Sequence, residues 1–189
     1  MNINKFNNFL DIFSYKVSTN GKDKKIILPP DIKEINEETI KNWDYLEAII
    51  IPNGVTTIDR ASFRNCTSLT SVTIGNGVKL IGDKAFSRCQ SLTSITIPSK
   101  VTSINDYAFY DCRSLTDIII PDGVKSIGSW AFGACESLTS VTIPESVTSI
   151  GNDAFFACSS DLTIYGKSGS YAEEYANNHN IKFKGSLKE

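Results

Sequence analysis

Only one of the 189 residues is a histidine, no segment is rich in one sign of charge, and no apolar run is long enough to cross a bilayer. Each shortage excludes a class of function. With His179 as the only imidazole, the one conceivable nucleophile and base pair is Cys158 with His179, and no third group is identifiable to orient it. Neither a phosphate-binding glycine loop, a dinucleotide fingerprint, a zincin helix nor a calcium loop is present. Acids and bases balance locally: residues 1–45 hold seven of each, residues 46–160 hold eight bases and ten acids, and the remainder holds four of each. Without a basic stripe, nucleic acid is not an expected partner. The start, interrupted by Lys5 and Asp11, shows neither a secretory signal nor a membrane span, so no membrane insertion is expected and a cytoplasmic location stays open. Five cysteines without a CxxC pair do not form a zinc framework. No cofactor is expected.

What the chain does contain is repetition. From Leu46 to Ser160 a 23-residue unit is written five times without insertion, keeping Leu46, Leu69, Leu92, Leu115 and Leu138 in register with Cys66, Cys89, Cys112, Cys135 and Cys158. A fixed period of this size marks a solenoid, in which neighbouring units stack and share one core. Equal positions then become rows with one strand spacing, roughly 4.8 Å, between neighbours. The five thiols should point the same way in such a row, which suits buried reduced cysteine better than a disulfide.

Within a unit, Leu69 to Ile74 reads as a strand with Leu69, Val72 and Ile74 inward and Ser71 and Thr73 outward. A polar turn follows, in which Asn53-Gly54, Asn76-Gly77 and Asp122-Gly123 supply residues that tolerate positive φ. A second short strand carries Val78 and Ile81 inward. After it, Gly82, Gly128 and Gly151 occupy a position suited to left-handed backbone. Ala85, Phe86 and Cys89 then form a helical turn that buries the ring and the thiol. Ser68, Ser91, Ser114, Ser137 and Ser160 are expected to bond the backbone where each strand begins.

Four parts are expected in order. Residues 1–22 form a helical cap on the apolar face of Phe6, Phe9, Leu10 and Phe13. Residues 23–45 are a degenerate copy, with Ile26 and Leu28 at strand positions, Ile40 in the Phe position and Trp43 in the Cys position. Residues 46–160 are the five regular copies. Residues 161–189 are a C-terminal cap of strand, helix and edge strand, the helix capped by Ser168 or Ser170 and reaching about Asn178. The phase slips by one at its start, where Asp161 stands in the leucine position.

The pattern LTSVTIPxxVTSIGxxAFxxCxS resembles the BspA-like, or Treponema pallidum type, leucine-rich repeat family in its period, its proline, its Ile-Gly and Ala-Phe pairs and its final cysteine. The likeness runs from Asp23 to Phe183, with Ser62 in place of Ala in the first copy and Gly75 in place of Pro in the second. It implies a β-rich (α+β) leucine-rich-repeat solenoid, a curved right-handed coil capped at both ends. It also implies a cell-surface or secreted protein that binds host or extracellular proteins, and it brings no catalytic residues.

Two surfaces are candidates for partner binding. One is the outward sheet face, with Ser71, Thr73, Ser94, Thr96, Ser140 and Thr142 in rows broken by Asp117 and Ile119, an interruption that argues against an ice-binding array. The other is aromatic: Tyr107 and Trp130 share one variable position and should lie side by side, while Tyr110 and Phe156 share another three residues on. Exposed aromatics near Arg88 and Arg113 suit protein or glycan contact. The reading is a non-catalytic protein-interaction module, with a structural spacer as the alternative and self-association open.

Overall fold

A computed structural model describes residues 25–36 and 45–185. The expected N-terminal helix, Ile40 and Trp43 lie outside these residues. The first strand of each coil stacks into a front sheet and the short second strand into a rear sheet, all pairings being parallel. The front strands are β1 (Lys25–Ile27), β3 (Ala48–Ile51), β5 (Ser71–Ile74), β7 (Ser94–Ile95), β9 (Asp117–Ile119), β11 (Ser140–Thr142), β13 (Thr163–Gly166) and β14 (Lys182–Gly185). The rear strands are β2 (Glu34–Ile35), β4 (Thr57–Ile58), β6 (Leu80–Ile81), β8 (Ser103–Ile104), β10 (Ser126–Ile127) and β12 (Ser149–Ile150). The rear ladder is one six-stranded sheet, whereas the front divides into β1-β3-β5-β7 and β9-β11-β13-β14. At the division Thr116 N still reaches Thr93 O at 3.3 Å, but β7 and β9 share no ladder.

Register is set by burial. Ile49, Val72, Val141 and Ile164 stack inward, one above another within each front sheet, because each strand has one apolar face and a slip of one residue would turn it to water. Ile74 is only partly buried at the edge of this core. Inside, Phe63, Phe86, Phe109, Phe132 and Phe155 form a continuous stack with centroid separations of 4.9, 5.4, 5.2 and 5.4 Å and nearly parallel planes. Beside it runs the cysteine row. The Sγ of Cys89, Cys112, Cys135 and Cys158 each donates to the carbonyl of the Phe one coil back, Phe63, Phe86, Phe109 and Phe132, at 3.1–3.2 Å. The thiols therefore fill space and also satisfy one carbonyl per coil.

Four local expectations are corrected. The residue after the second strand is not left-handed: Gly82, Gly128 and Gly151 all lie outside positive φ. Glycine stands there because the preceding coil presses on it, an added Cβ lying 2.8 Å from Arg60 N at Gly82 and 2.5 Å from Ser129 N at Gly151. The Asn-Gly and Asp-Gly turns likewise have no positive φ, and Gly54 and Gly77 face the carbonyls of Pro30 and Asn53. Left-handed backbone falls instead at Ala61, Lys84, Tyr107, Trp130 and Asp153, and again at Asn65, Arg88, Asp111, Ala134 and Ala157.

That placement explains the segment expected to be a helical turn. The N–H groups of Ala61, Phe63 and Asn65 donate to Asp83, Ala85 and Ser87 of the next coil at 2.7–2.9 Å, while those of Ser62, Arg64 and Cys66 close turns onto residues three back. The left-handed residues aim alternate amides along the stack, so the segment is a run of tight turns tied to its neighbour and not a helix. The serine row also differs. Ser114 Oγ donates to Gln90 O at 2.7 Å, but the recurring hydroxyl bonds come from threonine: Thr56, Thr70, Thr116, Thr139 and Thr148 each donate to the carbonyl of the residue 23 positions back.

After Leu162 the chain adds β13, the helix α1 (Tyr171–Asn178) and β14. Ser170 holds the N-cap position without a side-chain cap bond, and its Oγ is buried and unpartnered. Capping comes from Glu173, whose Oε2 accepts from Gly169 N at 2.6 Å, a carboxylate at the positive end of the helix.

Candidate binding site

The two candidate surfaces are separate clusters on different segments of the coil. On the first front sheet, Ser71, Thr73, Ser94 and Thr96 are exposed, as expected of outward positions. On the second, Asp117, Ser140 and Thr163 pair in one row with Lys182, and Ile119, Thr142 and Tyr165 pair in the next with Lys184. Ser140 is half-buried and Thr163 buried, while Ile119 is 67% exposed. The expected single long face is thus two faces.

The second face carries a shallow groove of about 590 Å³. Ile119, Thr142 and Tyr165 form its floor, and the turns bearing Pro121, Pro144 and Lys167 form its wall. Lys167 Nζ lies 2.7 Å from both carboxylate oxygens of Glu145, so this pair neutralises itself in the wall. Lys184 Nζ sits 5.7 Å from the centre of the Tyr165 ring, within cation–π range. The sequence reading missed Tyr165 because of the phase slip at Asp161; its signal was alternation with Leu162 and Ile164, which leaves position 165 outward.

The aromatic cluster lies on the turn segments. Tyr107 and Trp130 lie in neighbouring coils with planes 5° apart and centroids 6.3 Å apart. Tyr110 meets both rings edgewise at 5.7 and 6.0 Å, and Phe156 meets Trp130 at 5.2 Å. Lys84 Nζ lies 5.4 Å from the centre of Tyr107. Gly133 makes room for this: a Cβ there would fall 2.7 Å from Cε3 of Trp130. The indole is flanked by Tyr107 from one coil and Phe156 from the other. Phe156, 56% exposed, is the most exposed ring. Nearby, Arg113 Nε bonds Asp111 Oδ1 at 2.7 Å and lies 3.8 Å from Glu136, while Arg88 is exposed.

Cys158 and His179, the one pair considered from the sequence, are each bonded to a backbone carbonyl. Cys158 Sγ is committed to Phe132 O, and burial pushes its pKa up to about 12. His179 stacks on Tyr175 at 3.9 Å with Nδ1 2.8 Å from Tyr175 O. Burial also pushes the thiols of Cys89, Cys112 and Cys135 well above the ordinary value. Among the described residues, no group of three or more His, Cys, Asp or Glu could hold a metal ion, and no helix is long and apolar enough to cross a membrane.

Stacked parallel coils with a repeated internal geometry and exposed variable positions define a leucine-rich-repeat solenoid. The profile of the BspA type leucine rich repeat region matches in six copies, over residues 2–70 and 56–184, and the chain belongs to that family. It is similar to a leucine rich cell surface protein of Faecalibacterium prausnitzii, at 37% identity and TM-score 0.62, over 74% of this chain and 36% of that one. A leucine-rich repeat protein of Eubacterium ventriosum matches at 25% identity and TM-score 0.61, over 72% of this chain and 43% of that one. The T. pallidum leucine rich repeat protein, at 23% identity and TM-score 0.62, shares the fold over 87% of this chain and 86% of its own. The chain thus spans about a third of the length of the F. prausnitzii protein it matches. No curated protein matches it.

Proposed function

We propose that this chain is a non-catalytic, adhesin-like module that binds host or extracellular proteins through the outward face of its second front sheet. The observation that carries this reading is Ile119, an aliphatic side chain 67% exposed on the floor of a groove shared with Thr142 and Tyr165. Ile119 shares its row with the half-buried Tyr165, so the two offer apolar surface that a partner can cover together. Ser71, Thr73, Ser94 and Thr96 extend the same outward aspect with small side chains that allow close approach. The cell-surface description of the F. prausnitzii protein favours exposure to extracellular partners. The aromatic group of Tyr107, Tyr110, Trp130 and Phe156 is a second candidate contact, reached mainly through Phe156.

The test is binding of the intact chain to a panel of purified extracellular matrix proteins by surface plasmon resonance, with Ile119→Asp and Phe156→Asp beside the parent. Loss of at least about tenfold in affinity for Ile119→Asp, with an unchanged melting temperature, supports the sheet face. Binding that ignores Ile119 but follows Phe156 moves the site to the turn side. An absence of binding to every panel member favours a spacer.

A further inference from the structure

We propose that the groove on the second front sheet, with Asp117 beside one end and Lys182 and Lys184 beside the other, takes an extended protein segment in which an apolar side chain is flanked, two positions to either side, by charges of opposite sign. This rests on the reading of the groove as a protein-binding site and adds the chemistry of what it binds.

The charges at the two edges of this sheet differ in sign. β9 brings the exposed Asp117, and the turn after it brings the exposed Asp122. β14, three strands away, brings the exposed Lys182 and Lys184. Between them, β11 and β13 contribute hydroxyls and the Tyr165 ring, and the one ion pair of the wall, Glu145 with Lys167, cancels itself. Asp117 accepts a hydrogen bond from Thr116 Oγ1 at 2.8 Å, but it has no cation partner among the described residues, and neither lysine has an anion. The apolar residues stand in one row, Ile119 on β9 and Tyr165 on β13, with Thr142 between them.

Strand spacing turns this arrangement into a sequence pattern. Three steps of ~4.8 Å place the lysines about 14 Å from the acidic edge, measured along the coil axis. An extended segment lying along that axis advances ~3.3 Å per residue and shows every second side chain to the sheet. Residues i, i+2 and i+4 then fall about 0, 7 and 13 Å along the groove. A basic residue i meets Asp117 and an acidic residue i+4 meets Lys182 and Lys184. The apolar residue i+2 settles over Thr142 between Ile119 and Tyr165. Either chain direction satisfies the side chains, so the order of the charges is free while their opposition is required. Charges at such a rim contribute mainly to selection and encounter rate, and the apolar centre supplies the affinity.

A display library of random linear peptides selected on the intact chain tests this. The parent is expected to enrich segments with an apolar residue between opposite charges at two-residue spacing. Asp117→Lys should then enrich pairs of acidic residues, and the double variant Lys182→Glu, Lys184→Glu should enrich pairs of basic ones. A peptide selected on the parent should lose at least about tenfold in affinity for the double variant. Enrichment of apolar segments without charged flanks, or identical sequences from parent and charge variants, overturns the polarity while leaving the groove as the site. Enrichment that survives Ile119→Asp, or no enrichment, overturns the groove reading as well.

Discussion

Tyr175 meets Phe155 edge to face, 5.9 Å between ring centres, and its phenol oxygen lies toward the backbone N–H groups of Phe155 and Ala154. In earlier coils the corresponding amide of Phe63, Phe86, Phe109 and Phe132 donates to the alanine carbonyl of the next coil. One side chain of α1 therefore stands where a further coil would: it covers the last ring, and its hydroxyl lies toward the last amide of the row. Tyr175→Ala is expected to lower stability by about 3 kcal/mol or more, as large aromatic truncations in a core do. Tyr175→Phe should keep the cover, strand the amide and cost about 1–3 kcal/mol. Chemical denaturation of the three proteins checks both values; equal stability of Tyr175→Phe and the parent would remove the capping role of the phenol.

The buried thiols make the fold sensitive to alkali. Folding raises the pKa of Cys89, Cys112, Cys135 and Cys158, chiefly because burial disfavours the thiolate. The unfolded chain therefore loses these protons first as pH rises. Stability from this source is fully present below the ordinary thiol value of 9.0 and is lost between there and about 12 for Cys158. Each such thiol lowers stability by about 1.4 kcal/mol per pH unit in that window. Melting temperature measured from pH 7 to 10.5 should fall above pH 9, and less steeply in Cys112→Ala with its own parent value as reference. Maleimide at neutral pH should label Cys89, Cys112 and Cys135 only after denaturation.

Gly128 is needed for its lack of a side chain and not for its backbone freedom. A Cβ there would lie 2.5 Å from Asp106 N, and φ is not positive. Gly128→Asn should therefore destabilise at least as much as Gly128→Ala, by about 1–3 kcal/mol. A left-handed site would give the opposite order, because asparagine tolerates that conformation better than alanine. Thermal melts of the two variants decide.

Lys100 stands where Gly54, Gly77 and Gly123 lie close beneath a carbonyl of the preceding coil. Its coil carries β7, which pairs with β5 only through Ser94 and Ile95 and does not pair with β9. Lys100→Gly is expected to let this coil close up, extend protection from hydrogen exchange to Thr96 and Ile97, and leave the melting temperature equal or higher. Unchanged exchange at those amides would detach the shortened strand from Lys100.

Rows and register were legible in the sequence because a strict period allows each inward position one neighbour above and one below: Phe86 lies between Phe63 and Phe109, and Cys112 between Cys89 and Cys135, though the carbonyl each thiol meets was not. The left-handed positions were not legible. Their φ is set by the need to aim an amide at the next coil, so Ala61, Lys84, Tyr107, Trp130 and Asp153 share a conformation without sharing a chemistry. The tightness that selects glycine at Gly82 and Gly77 is equally invisible, since it belongs to the neighbouring coil. Of the candidate site, Asp117 and Ile119 stood out as breaks in the Ser-Thr rows. Tyr165 and Lys184 did not, because they join the face after the phase slip, and Gly133 reads as an ordinary variable residue until the indole of Trp130 is seen above it.

The parting of β7 from β9, with the rear ladder unbroken behind it, gives the coil a preferred line of bending. A load along the axis meets a continuous spine on one side and an interrupted one on the other, so it opens the front between Thr96 and Ile119 before it separates any rear strands.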